Sequence, residues 1–296
     1  MRSRRAARPK EAPPSAPPYN AAVRLSLVFY AFLARMAVGT LLCLIPLWAM
    51  RAAERHMRFQ LLLALCLAAG AVALYGPALG PSHPHWPRGA AALLSLDGAL
   101  PGALVLLGAA CLAANALFGT FRRRGGRIAL LVASLAGLVA VWGTARLGPI
   151  GVTTGPAALS VLALSALLGG LVIGSINNAM ILGHFYLTIK GLPLEALVRA
   201  GRMVAVVLLA KIALFGAVLA CWGGASDVLL GPEIVWTAWR VMFGFVGPLV
   251  LLWMVKDTVR LKHTQAATGL LYVAVAFALM GELAAVYLEL ATGLPV

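Results

Sequence analysis

Apolar runs of 18 residues or more recur along this 296-residue chain, separated by short charged or Pro- and Gly-rich connections. Each run is long enough to cross a hydrocarbon core of about 30 Å as a helix. In lipid the backbone must satisfy its own hydrogen bonds, which leaves helices or closed barrels. The alternating apolar–polar segments of about ten residues that build a barrel do not occur. Composition agrees, with 62% hydrophobic residues, 11% charged and a mean hydropathy of +0.94. The fold class is therefore all-α, a polytopic integral membrane helix bundle.

Charged punctuation places eight spans, at 24–48, 59–79, 98–119, 128–147, 156–188, 196–221, 233–255 and 265–288,. The fifth is long enough that it must tilt or reach beyond the bilayer. Residues 1–20 are basic and Pro-rich with nothing to bury, which predicts a disordered tail ahead of a transmembrane domain over 21–296,. The Arg4-Arg5 pair resembles a twin-arginine signal, but the apolar run after it is too long for a signal core and reads as an uncleaved span.

Loop charge sets the orientation. The connections 51–58, 121–127, 189–202 and 256–263 carry three, four, three and three Lys or Arg residues. The opposite set holds only Arg88 and Arg146, against Asp97, Asp227 and Glu289. The positive-inside rule makes the first set cytoplasmic and both ends of the chain external. The basic tail then lies on the outer side, which keeps a seven-span alternative open. A bacterial-type inner membrane is the expected location, with lipid as the constant partner.

The net charge of +15 is thus mostly topology, and no basic face interleaved with aromatics suggests nucleic acid,. Cys43, Cys66, Cys111 and Cys221 lack CxxC spacing, so no metal site is expected of them,. Phosphate-loop, dinucleotide and zincin motifs are missing from the sequence.

Ionisable residues inside spans carry most of the functional information, because each is costly in hydrocarbon and needs a partner. The candidates are Arg35, His184, Lys211, Arg240 and Glu282. At about 1.5 Å per residue, all but His184 fall roughly 10–16 Å below the outer surface. Spans seven and eight share a short connection, so Arg240 and Glu282 are the expected ion pair. Arg35 and Lys211 then lack an acidic partner in any span. Snorkelling to headgroups, a neutral lysine, or an anionic or quinone-like ligand would each resolve this.

On the other side, residues 175–193 read SINNAMILGHFYLTIKGLP. Gly170, Gly174, Asn177, Ile181 and His184 recur at helical spacing, with Asn178 beside them. Small residues admit a neighbouring helix closely and Asn or His can hydrogen-bond across the contact, so the stripe predicts a packing seam. The functional alternative makes His184 a haem b ligand or quinone partner, with Tyr186 nearby. A second haem-ligating imidazole on that side would be His263, since His56 belongs to a solvated basic loop.

TAWRVMFGFVGPLVLLWMVKD and YVAVAFALMGELAAVYLEL, the last two spans, resemble the end of the membrane anchor subunits of the DMSO-reductase and polysulfide-reductase (NrfD) class. The residues carrying the resemblance are Trp239, Arg240, Gly281 and Glu282. It implies a quinone-interacting anchor that passes quinol electrons to an attached iron–sulfur or other redox subunit. In that reading Arg240 and Glu282 are the catalytic candidates, and Lys211 and Arg35, with His184, Asn177, Asn178 and Tyr186, are ligand-binding candidates. A small-solute or ion transporter suits the Gly/Pro interruption Gly244–Pro248, although no internal sequence repeat links the two halves,. A non-catalytic scaffold or assembly subunit is the third reading, so whether the chain is enzymatic is left open here.

Overall fold

The computed structural model describes residues 21–49, 54–78, 96–120, 123–147, 155–188, 194–223, 225, 231, 233–261 and 263–296. The expected tail at 1–20 lies outside them, as do parts of most connections between helices. The described residues contain no strand. They form α1 (Ala21–Ala49), α2 (Glu54–Ala78), α3 (Leu96–Gly119), α4 (Arg123–Ala145), α5 (Pro156–Thr188), α6 (Glu195–Cys221), α7 (Ile234–Arg260) and α8 (Thr264–Thr292). All eight are long and apolar enough to cross a membrane, the first run included. α5, with 33 residues, has a length of about 50 Å,.

Two boundaries differ from the sequence reading in ways that matter. α2 begins at Glu54, not near 59, and α8 runs to Thr292, not to 288. Both extensions lengthen a helix through charged residues that hydropathy assigns to the flanking loop. α7 is continuous but changes gauge: residues Met242–Val246 form a π turn, with Gly247 and Pro248 directly after. Proline offers no N–H to the preceding turn, and a widened turn absorbs the misfit.

The short connections make sequential helices antiparallel neighbours, and these close into two rings. α1 packs on α2, α2 on α3, α3 on α4, and α4 returns to α1. The second half repeats the order with α5, α6, α7 and α8. Where the sequence halves show no repeat, their neighbour pattern is the same, because up-and-down packing follows from connection length rather than residue identity. The units meet mainly through α1 against α5, flanked by α4 on α5 and α1 on α8. Each unit has its own apolar core. The first holds Leu41, Leu61, Leu107 and Leu130, and the second Leu208, Phe245, Leu252 and Leu271. Leucines such as Leu62, Leu112, Leu135 and Leu209 point outward, as lipid-facing residues must,.

Glycines set the distance between units. A Cβ on Gly39 of α1 would land on the Gly170 carbonyl, and one on Gly174 would strike the Gly39 backbone. The Gly170 and Gly174 seam expected from the sequence is thus the α1–α5 crossing itself.

Candidate functional site

Arg240 and Glu282 meet as expected. The Arg240 Nη1 atom lies 2.6 Å from Glu282 Oε1, with side chains 0% and 3% exposed. The guanidinium lies 4.3 Å from the centre of the Phe245 ring, within the cation–π range,. Gly244 and Gly281 stand in backbone contact beside the pair, and a Cβ at Gly169 would strike the Glu282 carboxylate. The π turn places Gly244 where the Arg240 side chain passes. The pair engages Nη1, while Nε and Nη2 of Arg240 have no hydrogen-bond partner.

The expectation for Arg35 and Lys211 is corrected. Both have an acidic partner, Glu289, which the sequence reading assigned to the outer loop set. The extended α8 carries Glu289 two turns beyond Glu282, where it is buried. Arg35 Nη1 lies 2.5 Å from Glu289 Oε2, and Lys211 Nζ lies 4.0 Å from Glu289 Oε1. Ser165 of α5 bridges this longer gap. Its hydroxyl donates to Glu289 Oε1 at 2.6 Å, and Lys211 donates to that hydroxyl at 2.6 Å. Lys211 also donates to the main-chain oxygens of Ser165 at 2.9 Å and Val296 at 2.8 Å. Its three N–H donors thereby meet three acceptors, so it has no need to snorkel or recruit a ligand.

Arg240, Glu282, Arg35 and Glu289 all act electrostatically on Lys211. Five buried charged side chains from α1, α6, α7 and α8 therefore make one network, with Ser165 of α5 threaded through it. No sequence signal singled out Ser165. Glu289 could have been found, since a residue seven after Glu282 shares its helical face.

Toward the side bearing the basic connections, a second polar group occupies the unit interface. Asn177 donates to Gln60 Oε1 at 3.1 Å, joining α5 to α2. Asn178 donates to Thr40 O of α1 at 3.1 Å and to Gly174 O at 2.8 Å. His56 is corrected: it stands in the first turns of α2, is 0% exposed, and faces Asn178 and the edge of the Phe185 ring. It lies one turn before Gln60 on the same helical face.

His184 leaves the seam. The Gly39 contact with Gly170 and Gly174 puts the end of α1 level with about residue 182, so the last turn of α5 projects past it. There His184 is exposed, its Nδ1 lying 3.3 Å from the Tyr272 hydroxyl on α8. His263, its expected haem partner, is also exposed. Tyr186 packs against the second core and hydrogen-bonds to the Leu197 backbone. Among the described residues no three His, Cys, Asp or Glu side chains cluster as metal ligands.

No family model matches this chain, nor does any curated protein or solved structure.

Proposed function

We propose that the chain is a quinone-interacting membrane subunit of a redox complex in an inner, energy-coupling membrane. The observation that carries the reading is the state of Arg240, which is buried and ion-paired yet retains unspent N–H donors. Such donors suit the oxygen of a quinone ring, whose charge grows on reduction. Glu282 is the adjacent group able to take or give a proton. An aromatic strip lies on the same helix pair: Trp236 stacks on Tyr287 at 4.6 Å, and Phe243 contacts Trp239 at 4.7 Å and Phe277 at 5.1 Å. Trp236 and Trp239 are each about two-fifths exposed toward lipid, a suitable surface for a planar apolar ligand arriving through the bilayer,.

The roles of Lys211 and Arg35 change within this reading. Arg35 is already ion-paired with Glu289 and the three donors of Lys211 are already engaged, so they position the network and do not bind the ring. A second reading, a small-solute or ion pathway, draws on the paired four-helix units and the polar residues between them.

The test is quinone content. Protein purified in mild detergent from its own host should yield about one extractable quinone per chain, together with an iron–sulfur subunit. Arg240→Gln should lose the quinone. A chain that purifies alone, free of quinone, and is stabilised by a water-soluble solute would support the pathway reading instead.

A further inference from the structure

At one end of the unit interface Thr40 Oγ1, Gln60 Nε2 and one imidazole nitrogen of His56 have no partner, the other nitrogen facing Asn178 Oδ1. These residues come from α1, α2 and α5 and are all 0% exposed. Buried polar groups are rarely left unmatched, and three on neighbouring residues of one seam are a concentrated demand.

The chemistry of the demand is specific. The Asn178 amide nitrogen already donates to two carbonyls, which fixes its oxygen as the acceptor facing His56. Gln60 uses its oxygen to accept from Asn177, which leaves its nitrogen as a donor. Thr40 supplies a hydroxyl, and a neutral imidazole that donates to Asn178 Oδ1 keeps its other nitrogen as an acceptor,. No carboxylate takes part. The nearest basic side chain on α2, Arg58, is directed to Asn115 of α3, with Nε–Oδ1 at 3.4 Å and the Asn115 amide donating to Arg58 O at 2.9 Å. A neutral ligand that both donates and accepts, and that fits among sealed side chains, is called for.

We propose that Thr40, His56, Gln60 and Asn178 form an internal hydration site, with bound water as the ligand. Asn177 positions Gln60 without touching the water. The site stands on the α1–α5 seam, with Thr40 five residues along α1 from Arg35 of the charged network. It is independent of the quinone reading as proposed above, which rests on Arg240 and Glu282.

Water-edited solid-state NMR on the full chain in lipid bilayers, with 15N-labelled His and Gln, tests this. The His56 signals are assigned by their loss in His56→Gln, or in His56→Asn if that variant does not fold. The proposal expects His56 and Gln60 side-chain N–H signals to receive magnetisation from water at short mixing times. If they receive no magnetisation from water at those times, the site is dry and the proposal fails. Thr40→Val gives a second readout, because it removes a hydroxyl without changing shape. A melting temperature lowered by several degrees supports a water-bonded hydroxyl, whereas an unchanged or raised one contradicts it.

Discussion

Arg35 of the first four-helix unit and Glu289 of the second form a buried ion pair at 2.5 Å, and this pair joins the two units through charge as well as packing. One carboxylate serves two cations from different units, since Glu289 also faces Lys211 at 4.0 Å with Ser165 between. Glu282, two turns earlier on α8, pairs with Arg240 within the second unit.

That difference orders the effects of neutralising each carboxylate. Breaking a buried pair by removing one partner typically costs about 3–5 kcal/mol. Glu289→Gln leaves both Arg35 and Lys211 without their acid, so it should destabilise more than Glu282→Gln. Thermal unfolding in detergent, followed by tryptophan fluorescence, should give the lower midpoint for the Glu289 variant.

The helix crossing makes a steric prediction. At Gly39 an added methyl meets the Gly170 carbonyl, whereas at Gly102 it meets nothing within 4 Å. Overpacking of this kind costs about 1–3 kcal/mol or more. Gly39→Ala should therefore lower the unfolding midpoint and broaden the size-exclusion profile, while Gly102→Ala should leave both as in wild type.

Lys211→Met removes three buried donors, so the Ser165 hydroxyl loses the hydrogen bond it accepts and Val296 O keeps only the Ser165 hydroxyl as donor. A buried group left unpaired costs about 1–3 kcal/mol. Lys211→Arg should give no rescue, because the larger planar head cannot occupy a site that is 1% exposed and filled on three sides,. Comparing the two midpoints checks this.

Orientation is open to a chemical probe. Single cysteines at positions 199 and 260, in a background lacking the four native ones, should react with a membrane-impermeant maleimide only after the cytoplasmic side is opened. Labelling in intact cells or right-side-out vesicles would reverse the assigned sidedness.

The sequence made the spans legible because hydrophobic length is a direct physical requirement of the bilayer. It also made the Arg240–Glu282 pair legible, since a short connection forces antiparallel neighbours and equal depth forces contact. Glu289 was lost to a single residue of boundary: ending the last span at 288 turns a buried acid into a loop acid. His56 was misplaced for a similar reason, as Arg51, Arg55 and Arg58 around it read as solvated loop while α2 begins at Glu54. His184 shows the converse error. Helical spacing placed it in line with Gly170 and Gly174, but spacing carries no information about where the neighbouring helix ends. Ser165 gave no signal, because a serine in a long apolar run usually bonds to its own helix.

The central claim is that the Arg240–Glu282 pair acts in turnover and is more than a structural ion pair. The most direct measurement uses the double variant Arg240→Gln/Glu282→Gln, which removes both charges and leaves neither buried alone. The account predicts a folded complex with an unfolding midpoint near that of wild type and quinol oxidation reduced by more than about tenfold, an effect equivalent to about 1.4 kcal/mol in the barrier. A double variant that folds and oxidises quinol at the wild-type rate would contradict it, and would make the pair a structural feature of the second unit.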